Sequence, residues 1–168
     1  WVLEMGMRGF GEIARLCRIA SPTIGVVTAV ASAHSERVGG IEGVAKAKSE
    51  LIAALDGKGL AVLNADDPLV AGMASVSAAK VITFGSGEDA DVRVEGMTTG
   101  AGGCVSATVR TPWGAAPLEM HVPGVHIAVD AAAAVAVAGH LGCDVAKAAA
   151  QVSSFAAVSG RMKVHHLG

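Results

Sequence analysis

Lys48 is a lysine on the apolar side of a helix. Residues 41–55 read as an amphipathic helix with apolar residues Ile41, Val44, Ala45, Leu51, Ile52 and Leu55. At about 100° per residue these fill an arc of roughly 120°, and Lys48 falls near its middle. Lys46 and Glu50 fall outside the arc and are expected to be solvated charges. An ammonium in a core-facing stripe can snorkel to water, pair with a carboxylate such as Glu4, or react with carbon dioxide. The last route yields a carbamate, an anion able to hold a metal. Periodicity leaves these readings open.

Other residues have types and places suited to chemistry. Glu4 interrupts the apolar run Val2-Leu3-Glu4-Met5. A carboxylate there needs a cation or several donors. A magnesium ion suits its hard oxygen, and backbone amides at a strand end would also serve. His34 reads as a metal ligand, a base or an ordinary loop histidine, and magnesium takes histidine less readily than oxygen. Asn64-Ala65-Asp66-Asp67-Pro68 is a strand-to-helix junction. Either Asp66 or Asp67 can cap the helix, with Pro68 in its first turn. The alternative is nucleotide contact through Asn64 and Asp66. Arg161, in Ser159-Gly160-Arg161-Met162, reads by itself as a surface salt bridge. His121, His126, His140, His165 and His166 show no metal-binding spacing, and no nucleophile elbow is present.

The elements that would position these residues alternate. Apolar strands are expected at residues 1–5, 24–30, 60–64 and 80–84, the second buried on both faces. Helices are expected at 12–20, 41–55 and from Asp66 to about Ser75. This alternation with short connections predicts an α/β fold, a mostly parallel sheet flanked by helices. Its ligands would gather at the carboxyl ends of the strands, where Glu4, His34, Asn64 and Asp66 fall. After Gly85, period-two segments at 91–95, 105–111 and 117–122 predict a small antiparallel β annex. Ala-rich helices are expected at 130–141 and 145–158.

Composition excludes several classes. The 168 residues suffice for one domain, and 52% hydrophobic content excludes disorder. Lys+Arg at 13 against Asp+Glu at 15 gives no basic stripe for nucleic acid or a membrane surface. Cys17, Cys104 and Cys143 are widely spaced, form no disulfide framework and point to a reducing, cytoplasmic setting. The apolar start at Trp1 and the end at His165-His166-Leu167-Gly168 read as cuts within a longer protein.

In chain order, several strings resemble the central domain of the Mur ligases. They are Val2-Leu3-Glu4-Met5-Gly6, Gly11-Glu12-Ile13, Ala33-His34, Ala45-Lys46-Ala47-Lys48-Ser49-Glu50-Leu51 and Asn64-Ala65-Asp66-Asp67. Pro123-Gly124-Val125-His126 with its Ala-rich helix, then Gly160-Arg161-Met162, resemble the end of that domain. The resemblance implies a P-loop NTPase-like partial central domain over 1–158, with 159–168 opening a linker. It is greatest to the branch that joins D-alanyl-D-alanine to a UDP-muramyl tripeptide in peptidoglycan precursor synthesis. The implied chemistry uses ATP and Mg2+: a carboxylate is phosphorylated, and an amine then attacks the acyl phosphate. Carried over, Glu4 and His34 would be magnesium ligands and Lys48 the carbamylated lysine. Asn64 and Asp66 would lie near the nucleotide, and Arg161 would reach the ATP phosphates. The implied parent is monomeric and binds its substrates through flanking domains.

The chain departs from the family pattern twice. The Gly-rich P-loop ending in Gly-Lys-Thr/Ser is absent, so 1–168 alone is expected to be inactive. The family string His-Asn-x-x-Asn is His126-Ile127-Ala128-Val129-Asp130 here. Asp130 therefore stands at a nucleotide-reading position without an amide's donors. A folylpolyglutamate-synthetase-like ligase and a degenerate, non-catalytic α/β binding module are the alternatives.

Overall fold

The computed structural model describes residues 1–31 and 38–155. The chain divides into two compact units, Trp1–Thr83 and Phe84–Gly168.

The first unit holds α1 (Glu12–Ala20), β1 (Ile24–Val27), α2 (Ile41–Ala53), β2 (Leu60–Asn64) and α3 (Pro68–Ala71). α3 continues as a 3-10 turn, Gly72–Val76, and β3 (Lys80–Gly85) begins in this unit. β1 and β2 are parallel, in register from Ile24–Leu60 to Val27–Leu63, and β3 is the next strand after β2. Leu60, Ala61, Val62 and Leu63 are fully buried. A run with no polar alternation becomes the strand covered on both faces. Val27, Val44, Ile52, Leu63, Val70 and Met73 share one apolar core around it.

Three expectations fail in this unit. Residues 1–5 form no strand, and Trp1, Val2 and Leu3 are exposed. Apolar β-formers specify a strand only when a neighbour supplies hydrogen bonds, and none pairs with this segment among the described residues. β1 ends at Val27 rather than Val30, and Val26 is exposed. It stands at the end of the strand order, so only part of it is covered. The helix at Asp66–Ser75 is one α-turn followed by a 3-10 turn.

In the second unit Phe84 and Gly85 of β3 pair in parallel with Val92 and Arg93 of β4 (Val92–Thr99). β5 (Val105–Thr111) and β6 (Gly114–Met120) continue antiparallel. Within this unit the expected annex therefore joins the end of β3 through the parallel β3–β4 pair. α4 (Val125–His140) buries Ala128, Ala131, Ala132, Ala133 and Ala136, small residues that permit close packing. Gly139 is required there, because a Cβ would lie 2.3 Å from the Trp113 ring. α5 (Val145–Ser153) starts at Asp144, whose side chain accepts from the Lys147 N–H at 2.9 Å. The expected boundary at 158/159 lies outside the described residues. No helix among the described residues is long and apolar enough to cross a membrane.

Candidate functional site

Past the last ladder pair of β1 and β2, Val27–Leu63, side chains hold the segment that follows β1. Asn64, the last residue of β2, donates from Nδ2 to the Thr28 carbonyl at 2.7 Å. Its Oδ1 accepts from the Asp66 N–H at 2.9 Å. Lys48, from α2, donates from Nζ to the Ala29 carbonyl at 2.6 Å. Asp67 accepts the Val30 N–H on Oδ2 at 2.8 Å. Its Oδ1 accepts the Leu69 and Val70 N–H groups at 2.9 and 3.3 Å, which makes it the N-cap of α3. Three polar side chains from different elements thus hold three successive residues, Thr28, Ala29 and Val30.

This arrangement answers the question posed by Lys48. It lies on the buried arc between Val44 and Ile52, as its spacing predicts, and is half-buried. Its ammonium donates to the Ala29 carbonyl just past β1, and no ion pair joins it to Glu4 among the described residues. Glu4 is exposed, in the unpaired segment before α1. Asp66 is exposed one residue before the capping Asp67. His34 and Arg161 lie outside the described residues. The structure therefore brings Lys48 and Asn64 together and adds Asp67 to them.

Glu50 is a correction. It is half-buried rather than solvated. Its Oε1 accepts the Gly11 N–H at 2.6 Å and its Oε2 accepts the Ala14 N–H at 3.0 Å. It caps α1 from α2, a task its own helix period cannot reveal. Cys17, buried in α1, has its thiol pushed up by burial and, secondarily, by the Glu50 charge. Gly43 was also missed. A Cβ there would lie 1.6 Å from the Val38 carbonyl oxygen, so α2 passes this backbone at a distance only glycine permits.

In the second unit, Asp130 is an exposed residue whose carboxyl is nevertheless partly desolvated. That desolvation raises its pKa, and His126, one turn earlier on α4, pulls it back. On β4 and β5, Arg110 donates to Glu95 at 2.7 and 3.1 Å, and Arg93 donates to its other oxygen. These bonds, Arg110 first, hold the Glu95 carboxyl below the usual range.

Residues 1–138 match the family model of the Mur ligase middle domain. The chain belongs to the Mur ligase family. It is 37% identical over 164 residues to the UDP-N-acetylmuramoyl-tripeptide–D-alanyl-D-alanine ligase of Mycobacterium tuberculosis, covering 97% of this chain and 32% of that protein. It is 34% identical over 151 residues to the UDP-N-acetylmuramate–L-alanine ligase of Paenarthrobacter aurescens, covering 88% and 32%. The MurF ligase of Thermotoga maritima, solved in complex with ADP, superposes with a TM-score of 0.82 at 27% identity, over 98% of this chain and 38% of that one. MurF of Acinetobacter baumannii has the same fold, with a TM-score of 0.90 at 24% identity, over 99% and 36%. This Mur ligase chain spans about a third of the length of the curated relatives it matches.

The donor set bears on a metal. Among the described residues no group of three or more His, Cys, Asp or Glu side chains converges.

Proposed function

We propose that the protein carrying this Mur ligase chain forms an amide bond at the expense of ATP. In this reading it adds D-alanyl-D-alanine to a UDP-muramyl tripeptide in the cytoplasm during peptidoglycan precursor synthesis. The observation that carries it is the 37% identity to a ligase of that name along nearly the whole chain. The strand-end cluster of Lys48 and Asn64 supports it, because ligands of parallel α/β sheets gather there.

The tripeptide carboxylate takes the terminal phosphoryl group of ATP, and the dipeptide amine then displaces phosphate. Such a transfer depends on cations placed where negative charge develops. Lys48 is proposed to act at this place, either as its ammonium cation or, once carbamylated, as an anion that holds a cation there. Asn64 and Asp66 are proposed to lie along the nucleotide, with Asp130 towards its base and Arg161 towards its phosphates. Both polar atoms of Asn64 already serve the protein, so nucleotide contact would use its second N–H and second lone pair. Glu4 and His34 are the proposed magnesium ligands. The central domain is proposed to run to residue 158, with 159–168 leading towards the next.

The test is a ligase assay on the full-length protein. ADP release should require UDP-muramyl tripeptide and D-alanyl-D-alanine together, and mass spectrometry should find the amide product. Lys48→Ala should lose turnover that Lys46→Ala keeps. Product formed from a folate and glutamate would move the protein to the other ligase branch. Absence of turnover with both substrate sets would favour the binding module.

A further inference from the structure

The peptide group between Ala29 and Val30 is gripped at both ends by charged side chains. Its carbonyl accepts from Lys48 Nζ at 2.6 Å, and its N–H donates to Asp67 Oδ2 at 2.8 Å. A trans peptide is planar, with C=O and N–H pointing to opposite sides. The cation therefore sits at the negative end of the group and the carboxylate at the positive end. Turning the plane breaks both bonds at once. Hydrogen bonds in such a chain also polarise one another, so each strengthens the other.

We propose that Asp67 is a positioning residue for the ligase reaction, fixing the direction of Lys48 through the Ala29–Val30 peptide. The proposal rests on the ligase reading of this site. A lysine ammonium has three donors. Holding Nζ on a carbonyl of fixed plane sets where the rest of the headgroup points, whether the two other ammonium N–H groups or the carboxylate of a carbamate. Without the Asp67 carboxylate, the plane turns more freely and Lys48 swings with it. Asp67 can do this because its two oxygens divide the work. Oδ1 caps α3, which fixes the carboxylate, and Oδ2 is left for Val30.

That division lets one substitution separate the roles. In Asp67→Ser the hydroxyl still caps α3, since serine ranks with aspartate as an N-cap, but it has no second oxygen for Val30. In Asp67→Asn the single carbonyl oxygen serves either the helix or Val30, never both. Asp144→Ser repeats the change at the cap of α5, in the other unit.

The experiment uses the full-length protein and two readouts. In Asp67→Ser, kcat should fall about 10- to 100-fold, the loss expected when a charge-assisted bond orienting a reacting group is removed. The KM for ATP should stay within about two-fold, because an orienting contact acts on the transition state. Acetylation of Lys48, followed by mass spectrometry against exposed Lys58, should become faster in the variant. Asp144→Ser should match wild type in both. An active wild type whose Asp67→Ser variant keeps its kcat overturns the positioning role alone. A loss of kcat with unchanged Lys48 acetylation overturns the route through Lys48. A wild type without turnover overturns the ligase reading and this proposal with it.

Discussion

Replacing Glu50 should destabilise the protein although the residue sits outside the apolar arc of its helix. Its carboxylate accepts the Gly11 and Ala14 N–H groups at 2.6 and 3.0 Å, at the start of α1. In Glu50→Ala the exposed Gly11 amide regains water, while the half-buried Ala14 amide does so incompletely. A lost cap costs about 0.5–2 kcal/mol and a lost bond to a charged group about 1.5–3 kcal/mol. These overlap, so about 2 kcal/mol is expected for the whole change. For a chain of this size that lowers Tm by about 4–8 °C. Glu50→Gln keeps one carbonyl acceptor and loses the charge at the helix start, for about 1 kcal/mol. Lys46→Ala is the comparison, because the exposed Lys46 overlies the Phe10 ring at 5.7 Å, a contact worth about 0.5 kcal/mol. Thermal melts followed by circular dichroism measure all three. If Glu50→Ala melts within a degree of Lys46→Ala, the cap contributes nothing and the argument fails.

Gly43→Ala should destabilise, although alanine is the better helix former by about 0.5–1 kcal/mol. Its Cβ would meet the Val38 carbonyl at 1.6 Å, and overpacking of this kind costs about 1–3 kcal/mol. A higher denaturant midpoint for the variant would contradict this. Glu95 should titrate below an ordinary glutamate, because Arg110 and Arg93 favour its charged form. With the folded pKa depressed, its contribution is present above the unfolded pKa and is lost as pH falls through the folded one. Glu95→Gln should therefore flatten the acid limb of stability against pH. Asp130 has the opposite sign: burial raises its folded pKa, so its contribution is lost as pH rises through that value. His126→Ala should raise the Asp130 pKa further in an NMR titration, and no change there would rule out the His126 charge as a cause.

Strands and helices with a clear period were readable in the sequence: β2 is buried on both faces, as its unbroken apolar run predicts, and α1 has the expected ends. Failures came where the outcome depends on a neighbour. Residues 1–5 have the composition of a strand and no partner among those described. Val26 carries the same β-branched signal as Val62, yet only Val62 is covered on its face. Glu50 and Gly43 belong to contacts between elements, which a single-helix period does not contain. At the candidate site the Asp67-Pro68 capping signal was legible, but its second acceptor depends on β1 lying beside β2.

Lys48 shows how far the two kinds of information combine. Its spacing established that the ammonium faces inward and needs a partner. A carboxylate is the partner that charge alone suggests, and a backbone carbonyl is the one the fold provides. The carboxylate is still present, one peptide away, as Asp67 on the far side of the Ala29–Val30 group. The cation and the anion are thus coupled without touching, and the peptide between them belongs to neither of their elements. A direct ion pair would neutralise Lys48 and leave the Ala29–Val30 peptide without its two side-chain bonds. Coupling through the peptide ties the segment after β1 to α2 and α3 and uses one of the three ammonium donors. Where Lys48 acts as its ammonium in the proposed ligase reaction, that arrangement suits a cation meeting developing negative charge better than a paired lysine would.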